Sequence, residues 1–160
     1  MDSQPIIALD LSLTATGYYD GCDSQVWKPK TKGHQRLDFI LAKVDEQLGE
    51  VIPAAVFIEG FSFGSQGRAI YEIGGLGYLV RHHLWELGYP YCEVPPSVLK
   101  KFATGRGNAN KDEMLATAIR KFAFTGTDNN AADAWLLWHL GQALMGTTPM
   151  FAGKVNWVRR

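Results

Sequence analysis

Residues 5–20 read PIIALDLSLTATGYYD, and the fold class turns on this stretch. Ile6, Ile7, Ala8 and Leu9 make a short apolar run suited to a strand buried on both faces of a sheet. Asp10 closes that run. A carboxylate in such a place is costly unless it is paired, hydrogen-bonded or bound to a cation. Ser12, Thr14, Thr16 and Gly17 follow, residues that suit a tight turn where a backbone or a ligand passes close, and the whole reads as a β-hairpin. An isolated Asp10 would be an Asx-turn residue ending a core strand. Its partners further along the chain change that reading.

Downstream, Gln25, Val26 and Trp27 read as a third strand, followed by a small basic tract of Lys28, Lys30 and Lys32, either a solvated loop or a phosphate contact. Over residues 33–50, Leu37, Ile40, Leu41, Val44 and Leu48 recur with helical spacing and predict an amphipathic helix with one buried stripe. After Pro53, residues 54–59 (AAVFIE) form a second apolar strand that closes on an acid, Glu59. If the two acid-ending strands are sheet neighbours, Asp10 and Glu59 lie side by side. Such a pair repels strongly, and a divalent cation relieves it.

Residues 61–67 (FSFGSQG) form a loop whose Phe61 and Phe63 either tuck under the next helix or stack on bases. A helix is predicted over residues 68–87, opened by Arg68 and interrupted by Gly74, Gly75 and Gly77. Each glycine costs a helix roughly 1 kcal/mol relative to Ala, so their number suggests that another backbone approaches closely. Residues 89–94 read as a fifth strand, and Pro96 as the first turn of a short helix carrying Lys100 and Lys101. Residues 104–111 (TGRGNANK) form a basic glycine-containing loop with Arg106. It runs into a helix for which Asn110 and Glu113 have capping-box spacing. Lys111, in the first turn of that helix, opposes its dipole, which a bound phosphate would rationalise. The last helix opens at residues 127–135 (TDNNAADAW), with Asp128 as N-cap and Asn130 and Asp133 on one face. Alanines keep its first turn thin, so that it can pack on a sheet while presenting Asp133 to it.

The chain has 160 residues, 46% of them hydrophobic, enough for one globular domain with a proper core. Residues 1–146 are expected to form that domain and residues 147–160 a tail, either a flexible arm or a segment docked through Phe151 and Trp157. No apolar run approaches the roughly 18 residues of a membrane span. Cys22 and Cys92 are too few for a disulfide framework or a zinc site, and both are read as reduced core thiols of a cytoplasmic protein. Net charge is zero, but residues 1–60 carry 5 Lys/Arg against 9 Asp/Glu and residues 61–160 carry 11 against 7. That asymmetry permits a local polyanion site.

Three acids thus stand in a βββαβαβα order: Asp10 on the first strand, Glu59 on the fourth, Asp133 on the last helix. Carboxylates suit hard cations such as Mg²⁺ or Mn²⁺. Two such ions about 3.5–4 Å apart support phosphodiester hydrolysis, and a lysine near the scissile phosphate would stabilise transition-state charge.

With these motifs in place, the sequence resembles the Holliday-junction resolvases of the RuvC kind, within the ribonuclease-H-like fold. The resemblance rests on ALDLSLTATGY, VFIEGFSFGSQGRAIYEIGGLGYLV, VPPSVLKKFATGRGNANK and NNAADAW, in the family's order. It implies an α/β fold with a mixed five-stranded sheet flanked by helices. It also implies a Mg²⁺-dependent endonuclease, two ions per site, that acts as a homodimer on four-way DNA junctions. Asp10, Glu59 and Asp133 fall on the family's catalytic, metal-binding acids, and Lys100 and Lys111 on its active-site and DNA-contacting lysines. The helix over residues 68–87 falls on the family's dimer helix, and Phe61, Phe63, Arg68 and Arg106 join the expected DNA-binding set.

Two positions depart from the family pattern. Asn130 stands where an Asp or His, three residues before the last acid, completes the metal site; its carbonyl oxygen can still coordinate, without charge. The aromatic wedge expected three residues after the catalytic Glu is replaced by Ser62, flanked by Phe61 and Phe63. The short length and these changes resemble virus-borne members, for which clearing branched DNA before packaging is the natural task. Two other readings stay open: a junction-binding protein without cleavage, and a ribonuclease of the same fold.

Overall fold

A computed structural model describes residues 5–60, 67–146 and 153–160. The strands are β1 (Ile6–Asp10), β2 (Thr16–Tyr19), β3 (Ser24–Trp27), β4 (Ala55–Glu59), β5 (Tyr91–Val94) and β6 (Asn156–Val158). The helices are α1 (Gly33–Glu50), α2 (Arg68–Glu86), α3 (Pro96–Thr104), α4 (Lys111–Phe122) and α5 (Asn129–Met145). One mixed sheet runs in the order β3-β2-β1-β4-β5-β6. β1, β4 and β5 are parallel, and β2, β3 and β6 pair antiparallel with their neighbours. The chain therefore has the expected mixed sheet between helices, with one strand more than the five expected.

That sixth strand comes from the end of the chain. Residues 156–158 are too short and unpatterned to announce a strand, but β5 leaves an unpaired edge, and Cys92 pairs with Trp157 across it. Trp157 packs edge-on against Phe57, with ring centroids 5.4 Å apart. Phe151 lies outside the described residues, as do Phe61, Ser62 and Phe63.

Alternation along the central strands divides the core in two. Ile6, Ala8, Phe57, Cys92 and Val94 face α3, α4 and α5. Ile7, Leu9, Val56 and Ile58 face the other way, onto Ile40, Val44 and Leu48 of α1 and Leu76, Val80 and Leu84 of α2. By the same alternation Asp10 and Glu59 continue the rows of Ala8 and Phe57, and so point towards α5.

α5 is the helix that seals the site, and its close seating explains two glycines. A Cβ on Gly141 would lie 2.7 Å from Ile6 Cδ1 and 2.8 Å from Phe57 Cδ2. A Cβ on Gly17 would lie 2.7 Å from the Asn130 carbonyl carbon and closer still to its oxygen. Thr16 and Gly17 are not turn residues: both are buried in β2, with Gly17 opposite Asp10. The turn is residues 11–15, held where Thr16 Oγ1 donates to the Ser12 carbonyl (2.9 Å) and accepts from its N–H (3.1 Å). The close approach read from Gly17 is thus to a protein backbone.

Cys22 corrects another expectation. Cys92 is buried, but Cys22 is exposed, because Asp20 Oδ1 accepts the N–H groups of Cys22 and Asp23 and folds this segment into a surface turn. Among the described residues, no helix is long and apolar enough to cross a membrane.

Candidate active site

Parallel pairing of β1 with β4 sets Leu9 beside Ile58, which places Asp10 and Glu59 next to each other at the C-terminal edge of the sheet. Asp128 starts α5 above that edge: its Oδ1 accepts the N–H groups of Asn130 (2.8 Å) and Ala131 (3.0 Å). The next turn, lined by Ala131, Ala132 and Ala134, packs flat on the sheet and delivers Asp133 to the two strand acids. One carboxylate oxygen from each of Asp10, Glu59 and Asp133 lies within 4.8 Å of the others.

These acids floor a cleft of about 460 Å³. Lys100 of α3 and Lys111 of α4 are on its wall, as are Gly74 and Gly77 of α2. Asn110 accepts from the Glu113 N–H (2.9 Å), the expected N-cap, and this starts α4 so that Lys111 is its first residue, facing the acids.

The electrostatics are those of an unneutralised cluster. Burial, then Glu59 and Asp133, hold the Asp10 carboxyl well above the usual range; Lys111 opposes the rise and Asp128 adds to it. Glu59 is pushed up to about 8 by burial and by Asp133, against the pull of Lys100. Burial takes Asp133 to about 6, with Lys111 and then Lys100 opposing and Asp128 adding to the rise. Glu59 Oε2 is buried with no hydrogen-bond partner. Three oxygen donors, one of them unsatisfied, around a dehydrated excess of negative charge fit a hard divalent cation.

Not every expected residue reaches this cleft. Asn130 is half-buried with its backbone against Gly17, and it is absent from the cleft wall. Arg106 is exposed and pairs with Glu113, outside the cleft. Arg68 opens α2, but its side chain, like Phe61 and Phe63, is outside what the structure describes. Conversely, Arg81 and Glu93 line the cleft without having been singled out. Arg81 Nη1 donates to Glu93 Oε2 (2.5 Å) and Nε to the Gly77 carbonyl (3.0 Å), tying α2 to β5 beside the acids.

No protein-family model matches the chain. Similarity to individual proteins is clear. A protein of Anaeromyxobacter dehalogenans (strain 2CP-C), named crossover junction endodeoxyribonuclease RuvC, is 33% identical over 122 residues, 75% of this chain and 66% of its own length. A protein of the same name from Synechococcus sp. (strain CC9311) is 28% identical over 134 residues, 72% of this chain and 82% of the other. The structure of Thermus thermophilus RuvC in complex with a Holliday junction substrate superposes with a TM-score of 0.72 at 25% identity, covering 89% of this chain and 96% of that one. The chain belongs to the RuvC family. The matched segments span from half to about four fifths of the curated RuvC relatives. RuvC membership implies a divalent metal, for which the acid cluster supplies three oxygen donors.

Proposed function

We propose that this RuvC-family chain is a metal-dependent endonuclease that resolves Holliday junctions or other branched DNA by hydrolysing phosphodiester bonds. The observation that carries the reading is the convergence of Asp10, Glu59 and Asp133 within 4.8 Å on the floor of a lysine-walled cleft. Asp10, Glu59 and Asp133 would hold Mg²⁺, or Mn²⁺ in its place, as two ions per site that activate water and stabilise the leaving oxygen when bound. Asp10, on whose carboxyl both other acids act, would hold the metal together with them. Lys111 and Lys100 offset the charge of the cluster and would bear on the extra negative charge of the phosphate as it is attacked. The three acids are the ligands that the fold brings together, and Asp128 adds negative potential while it caps α5.

The test is a labelled four-way junction incubated with the protein in Mg²⁺ and in EDTA, beside an RNA–DNA hybrid. Paired nicks in the junction, dependent on Mg²⁺, are expected. Binding with no metal-dependent cutting would instead make it a junction-binding protein, and preferential cutting of the hybrid would make it a ribonuclease.

We further propose that it acts as a homodimer through α2. Tyr71, Tyr78 and Trp85 recur every seventh residue and are 81%, 70% and 42% exposed. Gly74 and Gly75 lie between the first two, and a Cβ on either would meet nothing within 4 Å in this chain. Such a seam of aromatics and glycines, exposed although Arg81 lies beside the Tyr78 ring and Arg160 beside that of Trp85, suits the same face of a second copy. Tyr78→Arg is expected to weaken the dimer by about 2 kcal/mol or more, roughly 30-fold, in sedimentation equilibrium. An unchanged dimer would place the interface elsewhere.

A further inference from the structure

Four of the five cations in the first sixty residues fall within nine positions: Lys28, Lys30, Lys32 and Arg36, with no acid between Asp23 and Asp38. The sheet decides where this tract emerges. Asp10 pairs with Gly17 across β1 and β2, and the adjacent Thr16 pairs with Trp27 across β2 and β3. Trp27 therefore ends β3 at the same edge of the sheet as the catalytic acids. Lys28 follows it directly. With neighbouring strands about 4.8 Å apart, the loop leaves the sheet roughly 10 Å to the side of Asp10.

Lys28, Lys30 and Lys32 are all exposed, and none forms an ion pair among the described residues. Lys43 on the neighbouring helix, by contrast, is matched by Glu46, as Arg81 is by Glu93 and Arg106 by Glu113; what sets residues 28–32 apart is three unpaired lysines within five positions. The arrangement also works against local stability, because Lys32 is the N-cap residue of α1, whose first turn carries no acid. A cation there opposes the helix dipole. Like charges gathered at one edge of a neutral protein raise the local positive potential and attract an external polyanion.

We propose that residues 28–32 form a phosphate track that carries one arm of the DNA substrate away from the cleft, across the ends of β2 and β3. This rests on the endonuclease reading and extends its DNA-binding face beyond Lys100 and Lys111. The contacts are to the sugar–phosphate backbone and carry no base preference, since three exposed lysines offer point charges without a geometry that reads base edges.

The experiment measures affinity for a labelled four-way junction in EDTA as a function of salt, for three proteins. They are the wild type, the triple variant Lys28→Gln/Lys30→Gln/Lys32→Gln, and a control of equal charge change, Lys43→Gln/Arg120→Gln/Lys121→Gln, on α1 and the end of α4. Each phosphate contact contributes about 0.9 to the slope of log affinity against log salt. The track variant is expected to lose roughly 2–3 from that slope and at least about tenfold in affinity near physiological salt, with thermal stability equal to or above wild type. The control is expected to keep the wild-type slope. A track variant with the wild-type slope, or a control that loses as much, overturns the track while the endonuclease reading stands. A wild type that binds the junction no better than linear duplex overturns both.

Discussion

Asp10→Asn is expected to lower Mg²⁺-dependent junction cleavage by about 10³-fold or more, several kcal/mol of transition-state stabilisation, while junction binding persists. The same substitution is expected to make the metal-free protein more stable at pH 8. The reason is the cluster's own repulsion. In the folded chain burial and mutual repulsion raise all three carboxyls, Glu59 to about 8 and Asp133 to about 6. In the unfolded chain each would titrate near its ordinary value. Between those limits the folded state holds more protons than the unfolded state, so metal-free stability must fall as pH rises from about 4 through 8. Asn at position 10 removes one charge from the set and flattens that fall. At pH 4, where Asp10 is protonated in the folded state, the two proteins should melt together. At pH 8 the variant should gain roughly 1–2 kcal/mol, a few degrees in Tm for a chain of this size. Mg²⁺ should reverse the order at pH 8, because it stabilises the wild type and has lost a ligand in the variant. Melting curves at pH 4, 6 and 8, with and without Mg²⁺, check each part. A metal-free wild type whose Tm does not decline across this range would mean that the three acids do not share one desolvated site.

The acids were legible in the sequence for a specific reason. Buried parallel strands are near-continuous apolar runs, so the first charged residue at the end of each stands out, and parallel pairing then brings such ends together. Ile6 to Asp10 and Ala55 to Glu59 both have that form. Asp133 was visible because Ala131, Ala132 and Ala134 leave it as the one acid on a helix face thin enough to meet a sheet. The caps at Asn110 and Asp128 follow from local spacing and were equally plain. Arg81 and Glu93 were not, since their contact depends on how α2 is rotated over β5, which no local pattern encodes. The last strand was hidden for a related reason: Asn156 to Val158 becomes a strand only because β5 offers an edge and Phe57 a surface for Trp157. Cys22 was misread because it was grouped with the strands on either side, although Asp20, Gly21, Asp23 and Ser24 around it are turn formers and Asp20 folds the segment into an exposed turn. The approach of the Asn130 backbone to Gly17 was hidden as the contact of Arg81 with Glu93 was, since it depends on how the whole of α5 seats on β2.

That seating makes Gly17→Ala the most disruptive small substitution near the site. The added Cβ would stand 3.3 Å from Ala134 Cβ and well inside contact distance of the Asn130 carbonyl. Neither neighbour is the free end of a flexible side chain. The carbonyl belongs to the first turn of α5, held by Asp128 bonding the Asn130 and Ala131 N–H groups, and Gly17 itself is fixed by pairing with Asp10 and Val26 on either side. Relief therefore requires α5 to lift from the sheet. The helix buries Leu136, Leu137 and Leu140 and seats Gly141 against Ile6 and Phe57, so a shift at its start disturbs packing along its length. The expected loss is about 3 kcal/mol, at the upper end for one added methyl. Lifting α5 also withdraws Asp133 from Asp10 and Glu59. The surviving folded protein should then show weaker stabilisation by Mg²⁺ and a shallower fall in metal-free stability with pH, although no acid has been altered. Denaturant melts of Gly17→Ala beside Gly33→Ala separate this from a general cost of replacing glycine: Gly33, at φ +60 with nothing within 4 Å of its added Cβ, should lose only about 1 kcal/mol and keep the full Mg²⁺ response. Equal losses in the two variants, or an intact Mg²⁺ response in Gly17→Ala, would show that α5 is not held at this point and that the acid cluster does not depend on it.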